Sequence, residues 1–339
     1  MLYWGMQKKR LRGRRFRGRE PIRIMKNRRI RLPRARGMLL LMLLAAMISG
    51  CTAGRSGYQI VFAETESAPP DSRDDSPPPL RVAISSVLSP TDTINYYRAI
   101  ADYVGDKLNR PAILIQRKSY NEITMLMMNG GADIALLSSG AYLTYKQKQA
   151  EGLEAIAMQE RMGVPYYYGY LVVNRDSGMT DINDLRGKSI AITDPASYSS
   201  YFFISERLAE FGETPEHFFG RYVYTYNHDS SLKAVIDRVV DAAAVNSLVY
   251  EQAKHKNPEL ADSLHIIAKS KPAGTSPVVI SSSLPEEEKQ MLKDIFLSMH
   301  EQEAMKSALE GLFIDRFVPF DPRLYETAYR DKPSSRGRL

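Results

Sequence analysis

SYNEITMLMMNGGADIALLSSGAY, residues 119–142, passes from a helical pattern to a strand and into a second helix within 24 residues. Apolar residues recur at helical spacing over 119–128. Gly130-Gly131 then ends that helix, because glycine enters the left-handed conformation of a helix stop at little cost. Residues 132–137, apolar except for Asp133, follow and read as a strand. Ser138-Ser139-Gly140 opens the next helix, expected to reach about residue 152. A strand enclosed between helices in this way is one unit of a mainly parallel sheet with helices on both faces.

The alternation continues on either side. Upstream, 80–85 reads as a strand and 93–108 as an amphipathic helix with Ile94, Tyr97, Ile100, Ala101, Val104 and Leu108 on one face; 112–116 is a second strand. Downstream, 155–158 and 167–174 read as strands. A second series follows: strand 189–193, a helix to about 210, a short helix 213–219, strand 222–224, helix 230–239, strand 241–245, helix 247–254 and strand 265–268. A return strand at 278–281 and a long helix 286–299 close it. Two α/β series of this length suit two lobes with a cleft between them.

The net charge of +7 divides unevenly along the chain. Residues 1–37 hold 15 Lys and Arg against one acid, Glu20, and the remainder holds 31 basic and 38 acidic residues, a net of −7. The basic character therefore belongs to the N-terminus, and nucleic acid is not an expected partner. After the basic segment come the apolar residues 38–48 and Ser49-Gly50-Cys51. Eleven apolar residues are short of the roughly 20 that span a bilayer, and the order basic, apolar, small is that of a secretory signal. Ile48-Ser49-Gly50-Cys51 resembles a bacterial lipobox, and Cys51 is the only cysteine of the chain. We expect a signal peptide over 1–50, with Met25 as an alternative start, and lipidation of Cys51 as a membrane anchor on the extracytoplasmic face of a bacterial cell. Residues 51–79, rich in proline, serine and acid, read as the lipidated cysteine and a disordered tether. With no other cysteine and five scattered histidines, neither disulfides nor a zinc site are expected.

TDPASYSSYF, residues 193–202, crowds Ser197, Tyr198, Ser199 and Ser200, all hydroxyl side chains, where a strand hands over to a helix. One reading is a simple helix cap, contributing about 1 kcal/mol. The other is an oxyanion site, since a helix N-terminus presents unpaired N–H donors and partial positive charge, and serines add neutral donors. One cap requires one hydroxyl, so the site reading is favoured. Ser138, Ser139 and Tyr142 stand at a second helix start of the same kind. No G-x-S-x-G, H-E-x-x-H, P-loop or paired-carboxylate motif is present at workable spacing, so no enzymatic activity and no cofactor are expected.

SYNEITMLMMNGGADIALLSSGAY, YYYGYLVVNRDSGMTDINDLRGKSIAITDP and AAAVNSLVYE, in this order, resemble the phosphate/phosphite/phosphonate substrate-binding proteins of ABC transporters over roughly 80–320. That resemblance implies a bilobal type II periplasmic-binding fold, with lobe 1 from 80–170 plus 276–330 and lobe 2 from 171–275. The hinge would lie near 171–175 and 272–278. It also implies a monomer that delivers a small oxyanion to an ABC permease. Asp194-Pro195-Ala196-Ser197-Tyr198-Ser199 matches the family's Asp-Pro-x-Ser-x-Ser segment, so Ser197 and Ser199 become ligand donors. Tyr198 stands where the family has a small residue and would reshape the pocket. Tyr120 and Tyr167 match ligand tyrosines, with half-buried core tyrosine as the alternative. His228 matches a ligand-contacting position, with a solvated loop histidine as the alternative. Where aminophosphonate binders carry carboxylates, this chain has Asn246–Leu248 and Thr275-Ser276, so a ligand without an amino group, or one bound differently, is expected. A sensory lipoprotein of the same fold, or a binder of a sulfonate or other small organic ligand, is the alternative function.

Overall fold

The computed structural model describes residues 77–148 and 151–330. The signal segment, Cys51 and residues 52–76 of the tether lie outside the described residues. Among the described residues no helix is long and apolar enough to cross a membrane.

The chain begins with β1 (Leu80–Ser85), α1 (Pro90–Lys107), β2 (Ala112–Arg117), α2 (Tyr120–Met128), β3 (Ile134–Leu136), α3 (Ser139–Gln147) and β4 (Leu153–Glu160). Helix α1 starts three residues before the expected 93, because Pro90 fits the first turn, where its missing N–H is no loss. Helix α2 is fixed at both ends by local chemistry. Ser119 and Glu122 form a reciprocal capping box, and Gly130 takes a φ of 67° beyond the last turn while the Gly131 N–H bonds back to the Leu126 carbonyl.

Passing through β5 (Tyr166–Tyr167), the chain enters β6 (Gly169–Asn174), β7 (Ser189–Ile192), α4 (Phe203–Ala209), α5 (Pro215–Phe218), β8 (Arg221–Tyr224), α6 (His228–Ile236), β9 (Ala242–Asn246), α7 (Ser247–Lys256), α8 (Pro258–Asp262) and β10 (Leu264–Lys269). It returns through β11 (Ala273–Gly274) to β12 (Pro277–Ser281), α9 (Glu286–Leu297), α10 (Glu303–Gly311), β13 (Arg316–Pro319) and α11 (Arg323–Arg330).

Two sheets result, one per lobe: β2-β1-β3-β12-β4-β13 and β10-β6-β9-β7-β8. Their period-2 alternation feeds two core layers each. Val82 and Ile84 pack with Ile100 and Val104 of α1, while Ala83 faces Ile123 and Met127 of α2. In the second sheet Ile190 and Ile192 meet Phe203 and Ile204, while Ala191 faces Leu232 and Val235. Each such fully buried aliphatic contributes about 1.5–3 kcal/mol.

The two-lobed α/β class is as expected, but each sheet is mixed. Strands β1, β2 and β3 are mutually parallel, as are β7, β8 and β9, whereas β12, β4, β13, β6 and β10 run antiparallel to their neighbours. Strands β6 and β12, each entered from the other lobe, run against the parallel strands beside them, and β13 follows β12 through helices in the same direction, a distinction that apolar patterning does not encode. The lobes are joined by the β5–β11 ribbon, in which Tyr167 pairs with Ala273. The first crossing therefore precedes 171–175. Leu171, Val172 and Val173 are fully buried within β6, between β9 and β10, and a connecting strand cannot be told from a core strand by its apolar content.

Candidate functional site

In both lobes the parallel strands end at the seam, so loops and helix N-termini converge there, as ligand sites do in open α/β sheets. After β7, the Asp194 carboxylate accepts the Ala196 N–H at 2.7 Å, and Ser200 Oγ accepts the Thr193 N–H at 2.9 Å. Residues Tyr198–Phe202 then form a π-helical turn before α4, closed by the Phe202 N–H to the Ser197 carbonyl at 3.1 Å. This departs from the plain helix expected after residue 193. The wide turn lies directly against Gly169, where a Cβ would sit 2.7 Å from the Ser199 carbonyl and 2.8 Å from the Phe203 ring. Ser197 makes no side-chain cap, so capping does not account for its hydroxyl.

The first lobe meets this turn edge to edge. The Tyr120 N–H, at the start of α2, donates to Asp194 Oδ2 at 3.1 Å, and Ser138 Oγ, the cap of α3, donates to the Ala196 carbonyl at 3.4 Å. Gly140 admits the contact: a Cβ there would lie 2.3 Å from the Ala196 carbonyl and 2.5 Å from the Tyr198 nitrogen. Further along the seam the His228 N–H donates to the Val87 carbonyl at 3.1 Å, and the Ser89 N–H bonds both Asp229 carboxylate oxygens at 3.1 and 3.2 Å. The lobes are shut on one another.

Within the shut seam sit polar groups that the protein leaves unsatisfied. Tyr120 Oη and Ser199 Oγ are fully buried with no hydrogen-bond partner, and they come from opposite lobes. Ser139 Oγ donates to Tyr167 Oη at 3.0 Å, and Ser199 lies beside the same tyrosine. Burial raises the Tyr167 phenol to about 12 and the Tyr120 phenol well above 10, so both remain neutral donors.

His228 is not the solvated loop residue weighed above. It is the first residue of α6, 2% exposed, because Asn227 caps that helix two residues earlier than the sequence pattern indicated. Its Nδ1 faces the Asn246 N–H at 3.1 Å and Thr193 Oγ1 at 2.9 Å. A backbone N–H can only donate, so Nδ1 is the acceptor and the proton resides on Nε2. Burial lowers the pKa to about 3, and the ring is therefore a neutral donor.

Two expected residues serve otherwise. Tyr142 is turned into its own lobe, its ring 5.5 Å from Phe320 and 5.3 Å from Tyr325. It stands at the helix start beside Ser138-Ser139, but as the fourth residue of α3 it packs into the first-lobe core instead of facing the seam. Tyr198 packs edge-on to Tyr167 at 6.1 Å and donates its hydroxyl to the Lys271 carbonyl at 3.0 Å, so it forms a wall tied to the return crossing. Sequence reasoning missed the bridging role of Asp194 and missed Arg161 and Gln159, which stand in the motif-free stretch QERMGVP.

A family profile described as "ABC transporter, phosphonate, periplasmic substrate-binding protein" matches residues 82–325. The phosphonates-binding periplasmic protein of Escherichia coli (strain K12) is 29% identical over 154 residues, 44% of this chain and 45% of that protein. The chain thus matches about half the length of that curated relative. A solved binding protein component of an ABC phosphonate transporter from Pseudomonas aeruginosa superposes with a TM-score of 0.66 at 24% identity, covering 74% of this chain and 84% of that one. PhnD1 from Prochlorococcus marinus, solved in complex with methylphosphonate, gives 0.66 at 17% identity, with 74% and 96% covered. At these identities the superpositions show the fold, whereas the profile spans residues 82–325, more than half of the chain. The chain belongs to the family of periplasmic substrate-binding proteins of phosphonate ABC transporters.

Proposed function

We propose that this protein is the extracytoplasmic binding component of an ABC importer. It captures a small phosphorus oxyanion, a phosphonate before phosphite or phosphate, in the seam around Tyr120, Ser139, Tyr167, Ser197, Ser199 and His228. The observation that carries this reading is the pair of buried hydroxyls without partners, Tyr120 Oη and Ser199 Oγ, contributed by opposite lobes beside the Ser139–Tyr167 hydrogen bond. A tetrahedral oxyanion offers several acceptors, and hydroxyls, a neutral imidazole N–H and helix N-termini supply donors without titratable charge. Closure excludes water and strengthens each of these bonds. The protein binds and releases its ligand without breaking a bond in it. A lipid on Cys51 and the 28-residue spacer 52–79 hold the domain as a monomer at the outer face of the membrane, within reach of the permease.

Thermal unfolding with methylphosphonate, ethylphosphonate, phosphite, phosphate, 2-aminoethylphosphonate and taurine tests the ligand class. A ligand present at 100 times its Kd stabilises by about 2.7 kcal/mol, enough to raise Tm visibly. The phosphonates are expected to raise it most. A rise with taurine and none with any phosphorus oxyanion overturns the reading. Incorporation of labelled palmitate in a bacterial host, abolished by Cys51→Ser, tests the anchor.

A further inference from the structure

Arg161 follows the last residue of β4, in a tight turn where Met162 and Gly163 have φ of 53° and 74° and the Arg161 N–H bonds the Val164 carbonyl at 3.0 Å. Its side chain does not follow the turn outward: the residue is 4% exposed. Nε and Nη2 both donate to Gln159 Oε1, at 3.1 and 2.7 Å, and among the described residues Nη1 meets no acceptor and no carboxylate forms an ion pair with the guanidinium. The charged or titratable groups that act on it are the Tyr97 hydroxyl and Asp315, an exposed carboxylate engaged with the Gly163 N–H at 2.8 Å. A guanidinium does not shed its proton, and burying it against an amide alone is costly by several kcal/mol.

This cation lines a small cavity between the lobes, with Gln159, Tyr167, Asn246, Thr275 and Ser276 around it and Val87 and Leu248 completing the wall. The cavity measures about 10 Å³, room for about one water. Among the described residues no carboxylate lines it. Tyr167 belongs to both places: its hydroxyl takes the Ser139 hydrogen bond in the oxyanion seam, and its side chain walls the Arg161 cavity. A ligand held at Tyr167 therefore has its other end in front of Arg161.

We infer that the ligand is a phosphonate carrying a second anionic group, a phosphonocarboxylate, and that Arg161 binds its carboxylate. This rests on the phosphorus-oxyanion reading above. Gln159 fixes one edge of the guanidinium fork and leaves the Nη1 edge free for the ligand, the arrangement that favours bidentate pairing with a planar carboxylate. The neutral walls, Asn246, Thr275 and Ser276, offer an ammonium no partner of opposite charge.

Calorimetric titration of the folded protein with phosphonoacetate, 3-phosphonopropionate and ethylphosphonate decides the matter, using wild type, Arg161→Gln and Arg161→Lys. At least one phosphonocarboxylate is expected to bind about ten-fold or more tighter than ethylphosphonate, as a desolvated charge-assisted pair allows. Arg161→Gln is expected to erase that preference while leaving ethylphosphonate within about three-fold of wild type, and Arg161→Lys to keep part of it. The inference is overturned if wild type binds ethylphosphonate as tightly as both phosphonocarboxylates, or if Arg161→Gln weakens all three ligands alike. Should the glutamine variant not fold, the wild-type preference and the lysine variant still decide. If wild type binds none of the three, nor phosphate or phosphite, the phosphorus-oxyanion reading itself has failed.

Discussion

A buried hydroxyl without a partner is destabilising in the free fold, so Ser199 Oγ and Tyr120 Oη give each residue a separable signature. Ser199 Oγ has at most a weak contact with Tyr167 in the free protein, so its removal costs little there, whereas under the proposed function it removes one donor to a charged ligand. Ser199→Ala is therefore expected to weaken phosphonate binding by about 1.5–3 kcal/mol while leaving Tm unchanged or slightly raised. Calorimetry and thermal unfolding on the same preparation check this; a lowered Tm with unchanged Kd would return the serine to a structural role. His228 makes a different prediction, in pH. Its folded pKa of about 3 lies below the usual 6.5, so the unfolded chain takes up the proton first as pH falls. Stability contributed by the neutral ring is complete above about 6.5 and is lost at about 1.4 kcal/mol per pH unit down to the folded pKa. Between pH 7.5 and 5, wild type should lose about 2 kcal/mol more in urea unfolding than His228→Gln, whose side chain does not titrate. Equal losses would mean that His228 is not held neutral.

The starts of α2 and α3 and the end of α2 were legible because they are written in local chemistry, whereas α1 begins three residues before its expected start. Pro90, the Ser119–Glu122 box, Gly130 and the Ser138 cap each act within a few residues. The π-helical turn at Tyr198–Phe202 was not legible, since it depends on the backbone of Gly169, 30 residues away. Gly140 belongs to the same class of long-range demand. Inside a helix its natural replacement is alanine, which favours the helix by about 0.8–1 kcal/mol. Yet the added Cβ would meet the Ala196 carbonyl at 2.3 Å, backbone that cannot swing aside as a side chain would. Gly140→Ala should thus leave the first lobe as stable as before and prevent the second from seating on it. We expect a loss of phosphonate affinity of about ten-fold or more with no fall in Tm. An unchanged Kd would show that binding does not require this contact.

For the molecule as a whole, the order of elements and the two lobes followed from periodicity, whereas the site followed only in part. Ser197, Ser199, Tyr120, Ser139, Tyr167 and His228 all reach the seam, because each stands where a parallel strand ends or where the β5–β11 ribbon crosses it. What the sequence could not indicate is which lobe satisfies which group. The Tyr120–Asp194 bond spans 74 residues and the Ser89–Asp229 bonds 140, and both exist only when the lobes meet. These contacts oppose a cost. In the shut form Tyr120 Oη and Ser199 Oγ are withheld from water without a hydrogen-bond partner, and each such group costs about 1–3 kcal/mol. The interlobe hydrogen bonds, at about 1 kcal/mol each, are of the same order as this cost, so the shut and opened forms lie close in free energy. Free protein in solution should accordingly populate an opened form in which these groups are hydrated, and ligand should shut it by supplying the missing acceptors. Small-angle scattering is expected to show a smaller radius of gyration on addition of saturating phosphonate, and Gly140→Ala to remain expanded at the same ligand occupancy. A radius of gyration that matches the shut form without ligand, and does not change with it, would mean that the interlobe bonds alone hold the lobes together.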